Sequence, residues 1–82
     1  MKRTEFTELK LRILRELLNE LKFAIEDDNE ELSQLIFELI ETLKKARAKE
    51  LTSFLTTLTE LARERKELMN LLIRISEQLN DF

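Results

Sequence analysis

The chain contains no glycine, proline, cysteine, histidine, tryptophan or tyrosine, and each absence excludes something. Without Gly or Pro the usual turn punctuation is missing, which fits a nearly all-helical chain with short connections. Without Cys no disulfide framework exists. The lack of His as well removes the ordinary zinc ligands, the Cys–His nucleophile pair and the neutral-pH proton shuttle. A phosphate-cradling loop would need glycines that are not there. Long apolar runs are lacking too, the longest being three residues, as in Leu35-Ile36-Phe37 and Leu71-Leu72-Ile73. A membrane-spanning helix needs about 20. Met1-Lys2-Arg3 is basic, but Glu5, Glu8 and Lys10 stand where a signal peptide requires an apolar stretch. The expectation is a soluble, cytoplasmic protein.

What is present is a helix-forming mixture of Glu, Lys, Arg, Leu and Ile with a net charge of −3 over 82 residues. Residues 1–82 are read as a single domain. Ordering such a chain costs on the order of 120 kcal/mol of conformational entropy, at about 1.5 kcal/mol per residue. A core this small is often completed by another chain, so oligomerisation or a partner is expected. The composition fits a heat-adapted organism. A designed bundle would share it, but designs place Gly or Pro in their loops, which favours a natural protein.

The stretch from Asp28 to Leu58 carries the longest helical pattern. Asp28-Asn29-Glu30-Glu31 matches a capping box, with Asp28 as the cap and Glu31 reaching back. Leu32, Leu35, Ile36, Leu39, Ile40, Leu43 and Ala46 then fall on one face at about 100° per residue. Phe37, Ala48, Leu51 and Leu55 form a second stripe beside it. Lys44 to Glu50 interrupts the main face, with Arg47 and Glu50 able to pair, and reads as a solvated, salt-bridged turn of helix.

Upstream, Thr4 is the expected N-cap of a helix running to about Glu26. Phe6, Leu9, Ile13, Leu17, Leu21 and Ala24 form one stripe, and Leu11, Leu14, Leu18 and Ile25 form its neighbour. An arc of roughly 200° belongs to a helix packed on two partners. Lys10 falls inside the arc and is expected to extend its charge outward. Phe23 lies outside it. Downstream, the weak helix formers Thr52, Ser53, Thr56, Thr57 and Thr59 cluster, and Thr57-Leu58-Thr59-Glu60 matches a second capping box. A break is therefore expected near Thr56–Thr59. Beyond it, Leu61, Leu68, Leu72, Ile75 and Leu79 form the core face, Arg65 interrupts it, and Phe82 closes the chain as a frayed or docked end.

The expected fold is all-α: a three-helix bundle, with helices at about 5–26, 29–56 and 58–80. The alternative is a helical hairpin whose second half is one long helix. Leu14, Leu17, Leu39, Leu43, Leu68 and Leu72 are expected in the core.

Candidate chemistry is sparse. Glu16 with Glu20 and Glu38 with Glu41 are carboxylate pairs at helical spacing, but a di-metal bundle also needs Glu-x-x-His. They are read as polar-face acids, and no catalytic, metal or cofactor site is expected. Arg12, Arg15 and Lys22 share a side of the first helix with Glu8 and Glu26 among them, so direct nucleic-acid binding is not expected, in keeping with a pI near 5.1. Over Leu39 to Asn80, Leu43, Arg47, Leu51, Leu68 and Leu72 give a pattern that resembles the helical domains of small archaeal replication accessory subunits, including GINS-type proteins. The resemblance implies an accessory role in DNA replication or processing; resting on amphipathic core positions, it carries over no site residue. The surplus apolar surface points to a protein–protein interaction module. The first form is a small accessory or adaptor subunit docking on a larger assembly; the alternative is a self-associating bundle. Phe23, Phe37, Leu51, Leu55 and Ile73 are the candidate interface.

Overall fold

A computed structural model describes residues 2–81. It contains α1 (Arg3–Glu26), α2 (Glu30–Lys45), a 3₁₀ turn (Ala48–Glu50), α3 (Leu51–Glu64) and α4 (Glu67–Asn80), with no strand among the described residues. The carboxy-terminal Phe82 lies outside them. Helix α1 packs on α2 and α4, while α3 packs on α4 and more lightly on α2. The body measures 39 × 20 × 20 Å. Its long dimension is about that of α1, whose 24 residues span about 36 Å at 1.5 Å each.

The first turn falls where the sequence places it, but its parts are shifted by one residue. Asp28 adopts a left-handed backbone, φ 55°. Its N–H donates to the Ile25 carbonyl at 3.1 Å, and the Asn29 N–H donates to the Ala24 carbonyl at 2.9 Å. This pair of bonds closes a Schellman motif, with Asp at the position usually held by Gly. Asp28 is therefore not the cap of α2. That role passes to Asn29, whose side-chain oxygen accepts from the Leu32 N–H at 3.1 Å. Replacing Asp28 by Gly is expected to stabilise the fold by about 0.5–1 kcal/mol, and Asp28→Val to destabilise it by about 1–2 kcal/mol. Urea unfolding checks both; a loss of stability in Asp28→Gly would contradict the left-handed turn.

The second turn corrects the sequence reading. The chain leaves helix at Ala46, with extended backbone at Ala46 and Arg47. It is not at Thr56–Thr59, which sit inside α3. The charged interruption at Lys44–Glu50 is itself the corner. Glu50 accepts from the Arg47 backbone N–H at 3.1 Å, so the two residues pair through the main chain. The threonines stay helical because Leu51, Phe54, Leu58 and Ala62 bury one face of α3, and packing outweighs tenths of a kcal/mol of propensity. Thr59 returns its hydroxyl to the Leu55 carbonyl at 2.8 Å.

The third turn, at Arg65–Lys66, rules out both the three-helix bundle and the single long helix. Arg65 is extended, and its guanidinium pairs with Glu31 at the start of α2. The turn also resets the helical phase. Carried on from Leu58 and Ala62, the buried line would take in Arg65, Met69 and Leu72. Helix α4 instead buries Leu68, Leu71 and Ile75.

The core is entirely apolar among the described residues: Leu9, Ile13 and Leu17 of α1 meet Ile36 and Leu43 of α2, Leu58 of α3, and Leu68, Leu71 and Ile75 of α4. Of the six expected core leucines, Leu17, Leu39, Leu43 and Leu68 are buried, and Leu14 and Leu72 are half-buried.

Candidate functional site

A helix in a four-helix body needs only the stripe that faces its neighbours. On α1 that stripe is Leu9, Ile13, Leu17 and Ala24, all buried. The neighbouring stripe remains in water: Leu11 is 60% exposed, Leu18 50% and Ile25 60%. Leu14 and Leu21 lie between them, half-buried against the core. Taken together, Leu11, Leu14, Leu18, Leu21 and Ile25 alternate in steps of three and four, the spacing of a coiled-coil seam. Divided by sequence into two stripes, with Leu21 in the other one, the line does not stand out as a heptad; only the burial of Leu17 and Ala24 separates seam from core.

Helix α2 supplies the other wall. Phe37, 57% exposed, joins Leu21, Ile25, Ser33, Gln34 and Glu38 around one depression. Thr7, Lys10, Leu11, Leu14 and Lys44 surround another further along, floored by Phe6 and Leu43. The outer face of the α1/α2 hairpin thus carries a shallow groove made of two depressions with Leu18 exposed between them, about 21 Å from Leu11 to Ile25 at 1.5 Å per residue.

Lys10 holds one end of this groove together. Its ammonium donates to the Lys44 carbonyl at 3.0 Å and the Ala46 carbonyl at 2.9 Å, the orphan acceptors left where α2 ends. It also lies 5.4 Å from the centre of the Phe6 ring. The lysine inside the apolar arc of α1 is the sequence signal for this corner: its charge goes to a helix terminus rather than to solvent.

The candidate interface residues divide. Phe23, Phe37 and Ile73 are exposed, whereas Leu51 is buried, at 8%, and Leu55 is half-buried against the core. Leu51 and Leu55 belong to the inward side of α3. No strip runs from Phe37 through Leu55 to Ile73: Phe37 opens onto the α1/α2 groove, and Ile73 lies on α4, which packs chiefly on α1 and α3. Phe23 sits on the α4 side of α1, three residues beyond Glu20.

That side of α1 carries a feature that residue spacing alone misplaces. Glu16 and Glu20 are not solvated polar-face acids. They are 16% and 14% exposed and share Arg74 of α4, which donates from Nε to Glu16 at 3.1 Å and from its terminal nitrogen to Glu20. Burial opposes the guanidinium charge, but the two carboxylates outweigh it and raise the Arg74 pKa. With both acids so occupied, the cluster works as a clamp between α1 and α4.

An open depression of about 730 Å³ lies at the first turn and is lined by Ile25, Asp28, Asn29, Glu30, Glu31, Ser33 and Gln34. Its acids flank the amino terminus of α2, where they complement the helix dipole. No group of three or more Asp or Glu side chains among the described residues is gathered to hold a metal, and no described helix is long and apolar enough to cross a membrane. Compared with protein-family models, with curated proteins and with solved structures, the chain matches none.

Proposed function

We propose that this chain is a non-catalytic protein–protein interaction module, a small helical subunit whose outer α1/α2 face holds another protein chain. One observation carries the reading. Leu11, Leu18, Ile25 and Phe37 stand in water along one groove, on a body that has already closed an apolar core without them. Leaving such surface exposed forgoes about 25 cal/mol per Å², and a continuous apolar line is the usual mark of a contact site. Phe23 on α1 and Met69 and Ile73 on α4 are exposed as well, further apolar surface outside the α1/α2 face. Self-association is the second reading, favoured by the heptad spacing of the α1 seam.

The test is a photocrosslinking residue in place of Phe37 in the full chain, irradiated in the native host. The expected result is a discrete heavier adduct, of any mass, that disappears when Leu18→Lys is introduced beside it. Absence of any adduct, or a smear indifferent to Leu18→Lys, would overturn the interaction reading.

A further inference from the structure

We infer that the occupant of the α1/α2 groove is a second copy of this chain, docked antiparallel so that the two α1 seams form one four-helix face with α2 and its copy on the flank. This inference rests on the interaction reading and names its partner. The groove is self-complementary in shape, in charge and in extent, and each can be read from the residues.

In an antiparallel pair each a-type position meets a d-type position. Leu11 then sits against Leu21 of the other copy and Leu14 against Leu18. Ile25 meets Thr7 at each end. This alignment matches every leucine with a leucine. Sliding the copies one heptad toward their amino termini puts Leu18 and Leu21 against Thr7 and Thr4.

Charge rules out the slide in the opposite direction. Glu8, Arg15 and Lys22 line the seam on the flank away from α2, seven residues apart, and all three are exposed. In the leucine-matched alignment Glu8 of each copy faces Lys22 of the other, twice by symmetry. Sliding one heptad toward the carboxy termini sets Arg15 against Lys22 instead, a repulsive pair on both sides. Arg15 meets its own copy at the two-fold axis, where long exposed side chains can part into water. Glu8 already accepts from Arg12 of its own helix at 3.2 Å and remains 59% exposed, which leaves its second oxygen for Lys22.

Leu11, Leu18, Ile25 and Phe37 each leave roughly 100 Å² in water, and with Leu14, Leu21 and the polar flanks a dimer would bury about 1,000–1,200 Å² in total. That is the lower bound for a specific interface. The association is accordingly weak and concentration-dependent.

Sedimentation equilibrium of the full chain, from micromolar to millimolar, reads the assembly directly. The expected result is a monomer–dimer equilibrium with no higher species. Leu18→Lys should abolish the dimer. Lys22→Glu should weaken it about five- to thirtyfold, since two exposed pairs pass from attraction to repulsion. The double variant Glu8→Lys/Lys22→Glu should restore it, because the swapped charges again face their opposites only in the antiparallel pairing. Circular dichroism on dilute samples confirms that each variant is folded, and the two surface-charge variants carry the test if Leu18→Lys is not. A chain that stays monomeric throughout overturns the homodimer; a Phe37 adduct of mass other than twice the chain would then leave the interaction reading standing. A dimer indifferent to Lys22→Glu, or one that the double variant fails to restore, overturns the antiparallel α1 interface.

Discussion

Truncating Leu58 or Leu71 to alanine is expected to cost about 2–5 kcal/mol of folding free energy, the loss of transfer energy plus the cavity left behind. Both side chains are fully buried, one on each side of the turn at Arg65–Lys66. At roughly 0.05–0.15 kcal/mol per residue, the whole chain has about 4–12 kcal/mol of stability. Either change brings it near the point of unfolding. The informative comparison is Leu71→Ala with Leu72→Ala. A helix continuous from α3 would bury Leu72; the structure buries Leu71 and leaves Leu72 half-buried. Urea unfolding at dilute concentration should find Leu71→Ala the more damaging by at least about 1 kcal/mol. The opposite order would mean that α3 and α4 are one helix.

Removing Arg74 is the second large effect. Arg74→Ala should destabilise the fold by about 1–3 kcal/mol, because Glu16 and Glu20 are left side by side and mostly out of water with no cation to answer them. The loss stays below that of a fully buried ion pair because Arg74 itself is 37% exposed. Much of the loss is the strain of the abandoned acids. The triple variant Glu16→Gln/Glu20→Gln/Arg74→Met should therefore recover most of it. A triple variant as unstable as Arg74→Ala would show that the arginine acts through packing alone. The pH dependence comes from its raised pKa. A cation whose folded-state pKa is raised contributes fully below its unfolded pKa and loses that contribution only as pH climbs through the folded value. Arg74 should thus contribute equally across the neutral and mildly alkaline range.

Much of the fold is legible from local pattern. Helix α1 and its boundary at Asp27–Asn29 follow from apolar periodicity and from the placement of acids and Asn at the junction. Within that turn, local pattern sets cap and corner one residue off. Asp28 and Asn29 can each cap, and each tolerates the left-handed conformation; only the chain's path into α2 assigns one role to each.

The later turns depart from local pattern for a physical reason. With no Gly or Pro available, the threonine cluster at Thr56–Thr59 looks like the weakest helix, and by intrinsic propensity it is. Burial of Phe54 and Leu58 nevertheless holds it helical. The true corners lie where a charged residue falls on the apolar face, at Arg47 and at Arg65. A charge there cannot enter the core, so the chain turns: Arg65 pairs with Glu31 at the start of α2, and Arg47 is left exposed at its corner. Lys10 and Arg74 obey the same logic, reaching the end of α2 and the acids of α1. None of these long-range partners has a signature in local spacing.

What the sequence by itself determined is the class of structure. Residue absences and a helical period leave an all-α chain, and the first helix carries more apolar surface than one neighbour requires. Which part of that surface is core and which stays open was decided only by tertiary structure. Leu17 and Leu18 are alike to any propensity scale, and each belongs to a stripe with helical spacing. Helices α2 and α4 pack against one side of α1, bury Leu17 and leave Leu18 in water, because a helix in this body has two neighbours and its remaining side has none.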